Sequence, residues 1–106
     1  TGRQTPQIIP GAKYTNKADM VILALGFEPE NLVHNFNVPE LNVTRWGTLR
    51  VNKPAMMTNI DGVFAAGDIV RGASLVVWAI KEGRDASAAI HRYLRTQELG
   101  KAVAAA

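Results

Sequence analysis

Between residues 58 and 93 the apolar pattern changes period once, at Gly67-Asp68, and that change limits the fold more than any other feature of the 106 residues. Before it, Val63-Phe64-Ala65-Ala66 is too short for a helix and is bounded by Gly62 and Gly67, which predicts a buried strand. After it comes a loop over 69–73. A helix then opens, with Ser74 as its natural N-cap and an end near Leu99, where Gly100 and Lys101 suit a C-terminal cap. Val76, Ala79, Ile80, Gly83, Ala86, Ser87, Ile90, Tyr93 and Leu94 fall on one side of this helix. Lys81, Glu82, Arg84, Asp85 and Arg92 fall largely on the other. A strand ending in Gly-Asp, followed by a helix with an apolar first turn, sets a carboxylate beside free backbone N–H groups. Such a site suits a ligand bearing both hydroxyls and negative charge.

Upstream, Met20-Val21-Ile22-Leu23-Ala24-Leu25 is a continuous apolar run stopped by Gly26, the pattern of a strand buried on both faces of a layered α/β fold. Pro29 forces Glu28 out of helical dihedrals, so 26–29 is a sharp break. Residues 1–10 read as a short strand or extended arm and 12–17 as a second short strand, while 30–36 suits two helical turns. Segments 41–45 and 48–51 flank Trp46-Gly47 as a hairpin, with Gly47 at the strained turn position. Trp46 reads as the cap of an apolar edge ahead of a stacking platform for a ring ligand, Met56-Met57 as core filler, and Arg71 as a solvated loop arginine ahead of a phosphate partner. His34 and His91 read as surface or packing residues. The end of the chain, 102–106, is expected to fray.

Composition narrows the function classes. A 47% hydrophobic share argues against disorder, and the net charge of +3 comes from scattered Lys and Arg without a basic run, so no nucleic-acid partner is expected. With no cysteine, disulfides and thiolate metal sites are excluded within the chain. No apolar run approaches membrane-spanning length and no signal peptide is visible, so no membrane association is expected and the cytoplasm is the default location.

The Thr and apolar strand leading into Gly67-Asp68 resemble the C-terminal FAD motif of two-dinucleotide-domain flavoproteins, the class of glutathione reductase and thioredoxin reductase. The string GVFAAGDIVRGASLVVWAIKEGRDA, with ADMVILALGFEP upstream, is similar more narrowly to the small subunit of NADPH-dependent glutamate synthase and its relatives. The resemblance implies an α/β fold: a partial Rossmann-like, FAD-binding three-layer unit with a long C-terminal helix. Residues 1–28 would end the NADPH-binding domain and 29–106 would form the C-terminal part of the FAD-binding domain.

The same resemblance implies site roles. Asp68 would accept a hydrogen bond from a ribityl hydroxyl, Gly67 would permit close approach, and the Ile69 N–H would lie near the pyrophosphate. The helix start at Ser74, Leu75 and Val76 would face the flavin pyrimidine edge and stabilise negative charge developing there on reduction. Gly26 would let the nucleotide approach; a glycine that only ends a strand is the equal alternative on sequence. The implied reaction is hydride transfer from NADPH to FAD, with electrons passing through iron-sulfur clusters outside this chain to a large glutamate synthase-type subunit. No residue reads as a catalytic acid, base or nucleophile, and none as a metal ligand.

One departure from the family pattern matters: the chain contains no GxGxxG. The phosphate-binding turns for FAD and NADPH are therefore expected in the remainder of the flavoprotein. The isolated chain is expected to be inactive and to hold FAD weakly or not at all. A different class of reading is a stand-alone interaction module, whose exposed apolar edges bind another protein or drive homo-oligomerisation.

Overall fold

The computed structural model describes residues 6–104, so the expectations for 1–5 and for the last two residues lie outside the described part. Three helices follow one another: α1 (Leu32–Asn35), α2 (Asp68–Arg71) and α3 (Val76–Ala104). α1 is one turn rather than two, started by Asn31, whose side-chain oxygen accepts the His34 N–H at 3.2 Å. α2 occupies what the sequence suggested was loop. Gly100 does not end α3, which continues to Ala104. A mid-helix glycine costs only about 1 kcal/mol, and the Ala-rich residues that follow are strong helix formers.

Between α1 and α2 the chain folds back on itself three times, through antiparallel bridges Val43 to Leu49, Asn52 to Met57 and Met57 to Phe64. The first is the hairpin expected around Trp46-Gly47. Gly47, at φ 81°, donates to Thr44 O at 3.0 Å, and the Thr44 and Thr48 hydroxyls meet at 2.8 Å. The Thr58 N–H donates to Val63 O at 2.8 Å, which closes the last of these reversals, through Gly62.

This folded-back segment packs on α3. Met56, Ala86 and Ala89 are buried together, with Phe64 and Ala66 partly buried against them. The Phe64 and Tyr93 rings meet edge to face at 5.6 Å. The covered stripe of α3 is thus Glu82, Ala86, Ala89 and Tyr93, at spacings of four, three and four. The expected apolar side is only partly this one. Val76, Ile80 and Leu94 are exposed, and with Gly83, Ser87 and Ile90 they form a second stripe about a hundred degrees around the helix axis.

Three strand expectations are corrected. The run at 20–25 is extended but forms no strand, and Leu23 is 80% exposed. A strand needs neighbours for its N–H and C=O groups as well as cover for its side chains. Among the described residues no segment pairs with 20–25. The stretch at 12–17 is likewise extended and unpaired. At 63–66 only Phe64 joins a bridge, and Val63 is exposed. Three isolated bridges do not make a sheet layer, so a three-layer sandwich is not formed among the described residues. The radius of gyration, 20.6 Å, far exceeds the roughly 13 Å of a compact domain of this length.

Candidate flavin-nucleotide site

Gly67 sets the local geometry. Its φ of 79° and ψ of −150° lie in a region open essentially to glycine alone. Its carbonyl accepts the N–H groups of Val70 and Arg71 at 3.0 and 2.9 Å, winding residues 68–71 into α2. Asp68 is therefore the first residue of a helical turn, with an exposed side chain. The N–H groups of Asp68 and Ile69 donate to no backbone acceptor among the described residues, as expected at a helix start.

Asp68 and Ile69 line a cavity of about 310 Å³ together with Gly72, Ala73 and the break at Phe27, Glu28, Pro29 and Glu30. The two glycine-marked breaks of the sequence thus face one hollow. Gly26 itself, at φ 98°, is not among the lining residues, and neither are Gly67, Ser74, Leu75 and Val76. The helix starts at Val76, so Leu75 rather than Ser74 occupies the position before it, and Leu75 O accepts the Trp78 N–H at 2.9 Å. The two groups of site residues expected from the sequence are adjacent in the chain but do not share this cavity. A larger hollow adjoins it along Phe27, Pro29 and Gly72, walled by Arg45 and Trp46, whose guanidinium and ring stack at 4.0 Å.

Beneath the turn lies an ion-pair network that sequence reasoning missed. Glu82, expected on the solvent side of α3, is 3% exposed. Its Oε2 accepts the Gly67 N–H at 3.0 Å, while its Oε1 accepts Nε and Nη2 of Arg71 at 2.9 and 2.6 Å. Lys53 Nζ stands 3.6 Å from Oε1. Burial pushes the Glu82 carboxyl up, but the Gly67 N–H, the Arg71 hydrogen bonds and the charges of Arg71 and Lys53 outweigh it and hold the group below its usual range. Arg71 is accordingly no free loop arginine. Its guanidinium is held by Glu82 and lies over the Trp78 ring at 4.3 Å. The signal was the spacing: Glu82 heads the stripe completed by Ala86, Ala89 and Tyr93, and Arg71 lies eleven residues before it.

This geometry sits in a recognisable lineage. Residues 2–83 match the pyridine nucleotide-disulphide oxidoreductase family, and the chain belongs to that family, whose fold is Rossmann-like. The narrower resemblance read from the motif is borne out by its relatives. The glutamate synthase (NADPH) small chain of Azospirillum brasilense is 65% identical over 106 residues, which is 99% of this chain and 22% of that protein. The glutamate synthase (NADPH) small chain of Bacillus subtilis (strain 168) is 42% identical over 88 residues, 81% of this chain and 17% of that protein. The chain spans about a fifth of the length of the curated relatives it matches. Among the described residues no helix is long and apolar enough to cross a membrane.

Proposed function

We propose that this chain is the FAD-binding C-terminal portion of a cytoplasmic NAD(P)H-dependent flavoprotein oxidoreductase of the glutamate synthase small-chain kind. The observation that carries the reading is that Asp68, an exposed residue, and Ile69 line one cavity, while the Ile69 N–H meets no backbone acceptor among the described residues. An ionised carboxylate only accepts hydrogen bonds, so it selects a hydroxyl such as those of a ribityl chain, and the adjoining N–H donors suit a pyrophosphate. A Cβ built on Gly67 or Gly72 would meet nothing within 4 Å, so a ligand can approach the backbone at both ends of α2. About 310 Å³ is at the low end for a ligand pocket, enough for the sugar-alcohol stretch of a dinucleotide rather than the whole.

In this reading Gly26 lets the nucleotide approach at the break. Residues 1–28 end the NADPH-binding domain and 29–106 complete the FAD-binding domain. The run at 20–25 and the second stripe of α3 are covered by the remainder of the flavoprotein, which finishes the three-layer Rossmann-like unit. Asp68 orients the ribityl chain, and the N–H groups opening α3 at Leu75 and Val76, preceded by Ser74, stabilise charge on the reduced ring. FAD, when bound, supplies the two-electron redox chemistry with NADPH as donor. Electrons leave through iron-sulfur clusters held outside this chain, toward a large glutamate synthase-type subunit. By itself the chain is inactive, because the GxGxxG turns are not in it.

Two preparations test this. The purified chain is expected to carry no flavin absorbance and to oxidise no NADPH. Substituted for the matching segment of the Azospirillum brasilense small chain, it is expected to restore flavin binding, and Asp68→Ala in that chimera to weaken FAD about tenfold. A yellow isolated chain that turns over NADPH overturns the dependence on other segments. A chimera indifferent to Asp68→Ala overturns the role of Asp68. The exposed apolar run at 20–25 favours a second reading, an interaction or homo-oligomerisation module without catalysis. A chimera that folds and assembles but never binds FAD would select it.

A further inference from the structure

We infer that Glu82 is a positioning residue for the dinucleotide site, tethering the Gly67–Asp68 turn to α3 so that the Asp68 carboxylate and Ile69 N–H face the cavity. The inference rests on the FAD-binding reading above and adds to it a residue that touches no ligand.

The division of labour between the two carboxylate oxygens carries it. Oε1 takes both N–H groups of Arg71, which leaves Oε2 for the Gly67 N–H alone. A carboxylate buried to 3% exposure is retained only where every lone pair has a use. Here one oxygen holds the first residue of the turn and the other holds its last helical residue, Arg71, so a single side chain grips both ends of α2. The Arg71 guanidinium is fixed from its other face by Trp78, one helical turn before Glu82. The peptide entering Gly67 is thereby fixed in direction, ahead of a residue whose lack of a side chain leaves it a wide choice of dihedrals, and the peptide leaving it toward Asp68 is held by its own carbonyl, which accepts the Val70 and Arg71 N–H groups.

Glutamine in place of Glu82 keeps the shape and loses the function. Its amide has one acceptor oxygen, and its NH₂ must face either the Gly67 N–H or the two Arg71 N–H groups, donor against donor. A residue needed only for packing tolerates this exchange far better than a tether does.

The test is a double-mutant cycle on FAD dissociation in the Azospirillum brasilense chimera, read beside thermal stability. Glu82→Gln is expected to raise the FAD dissociation constant about tenfold and to add little once Asp68→Ala is present, since both act through the same turn. Any loss of Tm from Glu82→Gln should persist in the Asp68→Ala background. Multiplicative effects on FAD binding would make Glu82 merely structural and overturn the inference. An effect of Asp68→Ala with none from Glu82→Gln would also overturn it while leaving the FAD-binding reading intact. No effect of Asp68→Ala would remove that reading first, and this inference with it. If Glu82→Gln yields no folded protein, Arg71→Gln decides: it frees one end of α2, and unchanged FAD affinity there overturns the tether.

Discussion

The Tyr93 hydroxyl donates to Asp61 Oδ2 at 2.8 Å across 32 residues, fastening α3 to the turn at 60–63. That turn is tight against the phenol: a Cβ built on Gly62 would stand 3.3 Å from the Tyr93 oxygen. The hydrogen bond to Asp61, then burial, then the Asp61 charge raise the Tyr93 pKa above its ordinary 10.0. A raised folded value means the native state binds the proton more tightly. The contribution is therefore fully present below pH 10.0 and is lost as pH climbs through the folded value. Tyr93→Phe is expected to lower Tm at neutral pH and to flatten the alkaline decline. Thermal melts across the alkaline range check both, and an unchanged decline would assign it elsewhere.

Glu82 has the opposite sign. Its carboxyl is held below the ordinary 4.5, so its contribution is fully present above that value and is lost as pH falls through the lower folded value. Glu82→Ala leaves Arg71 and the Gly67 N–H without their acceptor and is expected to cost about 3 kcal/mol at neutral pH. Urea unfolding of wild type and variant at neutral and acidic pH should converge at the acidic end, where the wild-type carboxyl is protonated too.

Gly67→Ala separates backbone strain from crowding. Nothing lies within 4 Å of the added methyl, yet φ 79° with ψ −150° is closed to alanine. The expected loss is about 2 kcal/mol, measured by chemical denaturation. Gly83→Ala makes the control: it is helical with open space around it, and alanine there should raise stability by about 1 kcal/mol.

The exposed run at 20–25 should make the isolated chain associate. Met20, Val21, Ile22, Leu23 and Leu25 are all exposed, an unpaired and extended apolar edge. Light scattering is expected to give a mass that rises with concentration, and Ile22→Lys combined with Leu23→Glu to bring it toward the monomer. A wild-type chain that stays monomeric at all concentrations contradicts this.

What the sequence disclosed and what it withheld divide along the range of the interactions. The turn at Gly47, the break at Glu28-Pro29 and the onset of a helix near Ser74 are set by neighbouring residues, and each appears within a residue or two of its expected place. The break at Gly67-Asp68 was legible because the dihedrals found there are those glycine alone readily adopts. Glu82 was not, since a carboxylate on a helix ordinarily marks the wet side, and it is Gly67 and Arg71, fifteen and eleven residues away, with Lys53, that make burial tolerable. The apolarity of 20–25 was plain, but the neighbours that turn such a run into a strand do not occur among the described residues. Nor did periodicity tell which of two apolar stripes on α3 would be covered here, because both satisfy the same 3.6-residue repeat.

Those two stripes make tolerance to mutation on α3 a matter of company. Polar replacements at Ile80 or Leu94 leave the buried cluster of the lone chain untouched, while bulk added at Ala86 or Ala89 disturbs its packing with Met56 and Phe64. Scored in the Azospirillum brasilense chimera, the first pair should turn sensitive while the second keeps its rank. Subtracting one scan from the other would trace, residue by residue, the seam along which the helix meets the rest of its fold.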